Sequence, residues 1–332
     1  IRRQRQMCIR DSLIANTGMS KLILADGSPR YSMISMLIGA IVNTILDPLF
    51  IFVFDMGMTG AALATITGQI ISFSISLRYM FHFKTIKLDK SCFKLSLSHC
   101  RKIFILGASA CFNQIAMTVV QIVMNNTLSH YGAQSVYGGD IPLACAGIIT
   151  KVNMIFMSFV IGISQGTQPV IGFNYGAKKY DRVRKTLKIV LGSSLVISTI
   201  AFILFQTIPD KLILIFGNGD AKYMEFACLA FRTYLLLCIC NGVQIPSGIF
   251  FQAIGKSTKS AILSLSRQIV ILIPAMIILS GIYGIMGVLS AGPVADGLAF
   301  VLAVILLVKE TRNMKNDGVE TEKAERLSLI HI

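Results

Sequence analysis

Asn43-Thr44-Ile45-Leu46-Asp47-Pro48 lies in the middle of an apolar segment that begins near Ser35 and ends near Phe54. About twenty residues is the length an α-helix needs to cross the hydrocarbon core of a bilayer. The stretch therefore predicts a membrane span with a carboxylate near its centre. An ionised Asp at that depth costs about 2.5 to 3.5 kcal/mol on insertion scales, so something must offset it. Asn43 and Asp47 are four apart and share one helical face. Pro48 has no N–H, which deprives the Thr44 carbonyl of its usual helical donor and leaves it free for water, a cation or a side chain.

The rest of the 332 residues repeats the membrane signature. Hydrophobic residues make up 54%, charged residues 14%, and the mean hydropathy is +0.70. Such values place the chain among polytopic membrane proteins. Its net charge of +15 raises the question of nucleic acid. The basic residues fall between apolar runs without interleaved aromatics, which fits membrane topology and argues against a nucleic-acid partner. After the first span the runs lie at about 58–83, 103–129, 143–171, 187–208, 225–250, 261–280 and 285–308, about eight spans in all. Connections rich in Lys and Arg (Lys84, Lys87, Lys90, Lys94, Arg101 and Lys102; Lys178 to Lys188; Lys256 and Lys259; Lys309 to Lys315) alternate with connections that have few or none, near Asp55, Gly138, Asp210 and Tyr283. Every second connection, and the C-terminus, is expected to be cytoplasmic.

An internal repeat sets the larger plan. Gly57-Met58-Thr59-Gly60-Ala61-Ala62-Leu63-Ala64 resembles Gly284-Ile285-Met286-Gly287-Val288-Leu289-Ser290-Ala291, and Ala25-Asp26-Gly27 resembles Ala253-Ile254-Gly255. Two similar halves are a recurring plan of secondary transporters, with the site at or between the repeats. Helix packing by small residues is the plainer alternative for such Gly and Ala matches. Projected back by the same offset, the counterpart of Arg101 falls about 126 positions before Ile1, which predicts a protein of about twelve spans of which this chain is a fragment. Arg2 to Ser12 has neither the apolar core of a signal peptide nor helical periodicity; residues 1–12 and Leu327–Ile332 are expected to be non-native ends and are set aside.

Candidate chemistry is sparse. Asp47 and Asp296 are the acidic residues expected deep inside spans. Such carboxylates serve ion or proton coupling, or else form a helix-packing hydrogen bond. Asp296 is a candidate second coupling carboxylate, near Pro293. Thr65, in the next span across the turn at Asp55, is a candidate third oxygen beside Asn43 and Asp47. Gln114, Met117, Gln121 and Asn125 form a polar, Met-bearing stripe that either lines a substrate cavity or bonds neighbouring helices. The eight Cys show no metal-ligand spacing. The His residues lie in expected loops, and no nucleophile with a partner base or phosphate loop is seen. No enzyme activity, cofactor or metal is expected.

Ala25-Asp26-Gly27-Ser28-Pro29-Arg30-Tyr31-Ser32-Met33, Asn43 to Pro48, Gly57 to Ala64, Gln165 to Pro169 with Gly172 to Ala177, and Phe251 to Lys256 together resemble MATE (multidrug and toxic compound extrusion) transporters. The likeness extends from about Asn16 to Met314 and is nearest the bacterial MepA-like and DinF-like branch. It implies an all-α polytopic membrane protein with a two-lobe helical bundle, about eight of twelve transmembrane helices being present. Residues 13–100 would be the remainder of the N-lobe (the end of helix 4, helices 5 and 6, and a linker), 101–314 the C-lobe, and 315–332 a cytoplasmic tail. The implied activity is export of cationic or amphipathic drugs in exchange for Na⁺ or H⁺ by alternating access, as a monomer in the bacterial inner membrane. Asn43, Asp47 and Thr65 match three members of the DinF-like N-lobe cation site; a first-helix Asp would be the fourth. The acids of the NorM-like site have no counterpart here. A lipid-linked oligosaccharide flippase would favour a cavity rich in Arg and Lys, and few basic residues lie at depth. A non-transporting membrane scaffold is the remaining alternative, and would give no ion-coupled flux in proteoliposomes.

Overall fold

The computed structural model describes residues 2–83, 96–216 and 220–330; the side chains of 2–13, 99, 102, 106, 109 and 315–330 are not among them. Lys84, Lys87, Lys90 and Lys94 of the expected basic connection lie outside the described residues. The order is α1 (Arg2–Ala25), α2 (Pro29–Pro48) continued by a π turn (Leu49–Val53), α3 (Gly57–Met80), α4 (Leu97–Ala133), α5 (Asp140–Gly176), α6 (Tyr180–Thr207) and the short α7 (Pro209–Leu214). There follow α8 (Ala221–Tyr234), α9 (Cys238–Ala253), α10 (Ser257–Leu265), a π segment (Ser266–Leu272), α11 (Ile273–Tyr283) and α12 (Ile285–Ile330). Among the described residues no strand is found. Helices are the expected spanning form, because each satisfies its own backbone inside a hydrocarbon.

Among the described residues seven segments are long and apolar enough to cross a bilayer: Pro29–Val53, Gly57–Met80, Ile103–Ala133, Asp140–Gly176, Tyr180–Thr207, Ser257–Tyr283 and Ile285–Met314. Ala221–Tyr234 and Cys238–Ala253 form an eighth only as a pair bent by 50°. The run expected as one span at 225–250 is therefore broken at residues 235–237. The set-aside ends are helical where described: Arg2–Ser12 belongs to α1 and Leu327–Ile330 to α12. Large apolar side chains face outward along the spans, with Phe52 80% and Ile45 62% exposed. Such surfaces suit lipid rather than water.

The chain forms two compact units, Ile1–Ser96 and Leu97–Ile332. In the first, α1, α2 and α3 pack together through small and polar residues. Asn16 Nδ2 donates to Ser72 Oγ at 2.9 Å, Ser76 Oγ donates to Asn16 Oδ1 at 3.0 Å, and Ser35 and Ser76 hydroxyls lie 2.7 Å apart. Lipid offers helices no hydrophobic drive to associate, so close backbone approach and interhelical hydrogen bonds take over that role. In the second unit α9 is the hub, packed by α5, α6, α10 and α12. Ten of its sixteen residues are buried, which is why it carries Asn241, Gln244 and Ser247 inside rather than outside. One core, around Phe205, Phe226, Phe231 and Met276, fills one end of this unit; a smaller one, around Phe250, Phe251 and Met314, fills the other.

The repeat is visible in backbone angles. Gly27 and Gly255 have φ of +78° and +76°, and Gly57 and Gly284 have φ of +53° and +60°. Each of the four lies at or just before the start of a new helix, where a left-handed residue turns the chain and glycine does so without a Cβ clash.

Candidate cation site

Pro29 opens α2 in the first-turn position where its missing N–H costs nothing. At the other end Pro48 closes the regular helix, and a π turn follows at once. A proline that withholds one backbone donor is a known cause of such irregularity. Beyond it, Asp55 with φ +49° and Gly57 reverse the chain into α3.

The antiparallel pair α2 and α3 comes unusually close. A Cβ on Gly39 would lie 2.8 Å from the Gly68 carbonyl oxygen, and one on Gly68 would lie 2.6 Å from the Gly39 carbonyl and 3.1 Å from Asn43 Cβ. This glycine contact sets Asn43 opposite Thr65. Asn43 Nδ2 donates to Thr65 Oγ1 at 3.3 Å, while Thr65 Oγ1 donates to the Ala61 carbonyl at 2.9 Å. Asp47 is one turn further along α2 on the face of Asn43. Its Oδ1 is buried and accepts no hydrogen bond from the protein. A buried acceptor without a donor is costly.

These groups present oxygen: a carboxylate, an amide carbonyl and a hydroxyl. Oxygen donors with a single negative charge suit a hard monovalent ion or a proton better than a soft transition metal. The sequence expectation places Asn43, Asp47 and Thr65 on one site, and the structure joins Asn43 to Thr65 directly with Asp47 adjacent along the helix.

Asp296, the candidate second coupling carboxylate, has protein partners on both oxygens. It is 5% exposed, and its Oδ1 accepts from Arg267 Nε at 2.9 Å and Nη2 at 2.5 Å. Its Oδ2 accepts from Asn241 Nδ2 at 3.1 Å. Arg267, inside the apolar run at 261–280, was not singled out in the sequence. The signal was available: one Arg in a span and one Asp in the next are each too expensive to stand alone. Glu310 was expected beyond the last span, yet it is 1% exposed and ion-paired with Lys256 and with Lys259, the latter at 2.5 Å.

The expected cavity stripe on α4 is mixed. Gln121 Nε2 donates to Asn125 Oδ1 at 3.0 Å within the helix, and Gln114 and Met117 are exposed on the surface of their unit. Asn113, one residue before Gln114, accepts from Gln268 Nε2 at 3.2 Å and so ties α4 to the π segment.

Residues 109–278 match the MatE family model. The chain is 29% identical over 309 residues to a multidrug export protein MepA of Staphylococcus saprophyticus, covering 91% of this chain and 64% of that relative. It is 27% identical over 284 residues to a multidrug export protein MepA of Staphylococcus aureus, covering 85% and 61%. The chain thus spans less than two thirds of the length of these relatives. Its fold is similar to that of a multidrug resistance MATE family transporter of the MOP superfamily solved in an outward-facing conformation, with a TM-score of 0.82, 19% identity, and coverage of 91% of this chain and 66% of that one.

Proposed function

Because this chain belongs to the MatE family, we propose that it is part of a multidrug efflux antiporter that binds Na⁺ or H⁺ at Asn43, Asp47 and Thr65. The observation that carries the reading is the buried Asp47 Oδ1 without a donor, one turn from the Asn43–Thr65 hydrogen bond. A cation or proton at that oxygen would relieve the burial cost, and the relief is the coupling energy. Binding there favours whichever arrangement of the transporter best encloses the ion, and drug binding favours the other. By linkage the two ligands lower each other's affinity to the same degree.

Drugs are the proposed substrates, in line with the multidrug export named for the MepA relatives, and cationic or amphipathic compounds are the proposed kind. Gln114, Met117, Gln121 and Asn125 supply a face with amide and thioether groups, adaptable to varied ligands. The proposed setting is the bacterial inner membrane, with a monomer whose C-terminus is cytoplasmic. The flippase alternative loses ground because Arg267, a basic residue within a span, has its charge engaged by Asp296.

The test is Asp47→Asn in cells carrying the intact gene, with drug resistance and membrane abundance both measured. Resistance should disappear while abundance is kept; resistance equal to wild type would sink the assignment.

A further inference from the structure

Each unit holds an aspartate between helices that are locally irregular, but the two are treated in opposite ways. In the first unit Asp47 precedes the proline and π turn that end α2, and one of its oxygens has no protein donor. In the second, three irregularities surround Asp296: the 50° break between α8 and α9, the π segment that carries Arg267, and Pro293 within α12. Both Asp296 oxygens are engaged, by Arg267 and Asn241. Tyr234, at the break, packs on α12 one turn before Asp296; a Cβ on Gly292 would come within 2.9 Å of its ring.

The repeat explains where the space for the arginine comes from. In the register set by Gly27 and Gly255, Arg267 takes the place of Gly39; Asp296 falls at the level of Gly68 and Gln69 in the register of Gly57 and Gly284. In the first unit those two glycines bring the helix backbones into contact and leave no room for side chains. In the second the same level holds an ion pair. The arginine side chain there is 28% exposed, whereas the aspartate side chain is 6% exposed, so the pair is more accessible from the arginine side.

We propose that Arg267 is a tethered counter-ion that fills the carboxylate site of the second unit in place of a small cation. Removal of its charge would then turn Asp296 and Asn241 into a site for a monovalent metal ion such as Na⁺. With Oδ1 accepting two bonds from Arg267 and Oδ2 one from Asn241, the charge of Asp296 is already balanced inside the protein, which leaves little attraction for an external ion. Once the guanidinium is gone, a buried carboxylate, an amide able to turn its oxygen inward and a path from the exposed side remain. A desolvated carboxylate without a partner strongly favours any cation that can reach it. The inference does not depend on the role proposed for Asp47, and it is tested without that residue.

The full chain carrying Asp47→Asn is purified in detergent, and its thermal midpoint is measured in NaCl and in choline chloride of equal ionic strength. Adding Arg267→Ala should produce a sodium-specific rise of the midpoint, absent from Arg267→Lys and abolished in Arg267→Ala/Asp296→Asn. If Arg267→Ala is folded and indifferent to sodium, the proposal is overturned. If it aggregates in choline but is recovered in NaCl, the proposal stands. Aggregation in both salts overturns it, because sodium then cannot replace the guanidinium.

Discussion

At the scale of single residues, two glycines govern the candidate cation site without contributing an atom to it. Gly39 and Gly68 let the α2 and α3 backbones touch, and that contact sets the 3.3 Å reach from Asn43 to Thr65. Gly39→Val or Gly68→Val must push the helices apart. Overpacking of this kind costs about 1 to 3 kcal/mol, read as a lowered thermal midpoint together with loss of resistance. Gly192→Ala in α6, where an added Cβ meets nothing within 4 Å, should leave both unchanged. The spacing of Asn43, Asp47 and Thr65 was legible in sequence because i and i+4 share a helical face whatever the surroundings. Arg267 was passed over because a lone basic residue in an apolar run carries no local pattern; its meaning comes from Asp296, 29 positions away.

The elements show how proline and its absence are read. Pro48 marks a real irregularity, the π turn at Leu49–Val53. Restoring the missing donor with Pro48→Ala should convert that turn to regular helix and slow amide hydrogen exchange at Leu49–Val53, with weakened ion coupling as the functional consequence. Unchanged exchange would show that the turn is imposed by packing on α3 instead. Pro169, Pro246 and Pro293, by contrast, sit inside α5, α9 and α12 without ending them. The sharpest break, at residues 235–237, falls in Leu235-Leu236-Leu237, with neither glycine nor proline. Local propensity favours helix there, so the cause is tertiary. Tyr234 lies against α12 at Gly292, and Cys238 is fully buried as α9 enters the core.

For the whole molecule, the alternation of basic and neutral connections is the property that can be checked without knowing a substrate. In a cysteine-free background, Gly138→Cys should react with a membrane-impermeant maleimide in intact cells, and Lys185→Cys only after permeabilisation. The reverse pattern would invert the proposed orientation and put Asp47's turn at Asp55 on the cytoplasmic side. The spans themselves were readable because hydrophobic length is a one-dimensional property of the chain. The repeat was readable too, since Gly27, Gly57, Gly255 and Gly284 all serve turns that need positive φ.

The sequence by itself determined the membrane class, the helical spans, the paired glycine turns and the oxygen-bearing face that holds Asn43 and Asp47. These depend on composition and on spacing along one helix. Only the tertiary structure decided which buried carboxylate stands without a donor and which is neutralised. Asp296 meets Asn241 across 55 positions and Arg267 across 29, and such partners are fixed by how helices rotate and approach one another. Two acids that look alike in an apolar run thus acquire opposite chemistry, because the cost of a buried charge is settled by its neighbours in space.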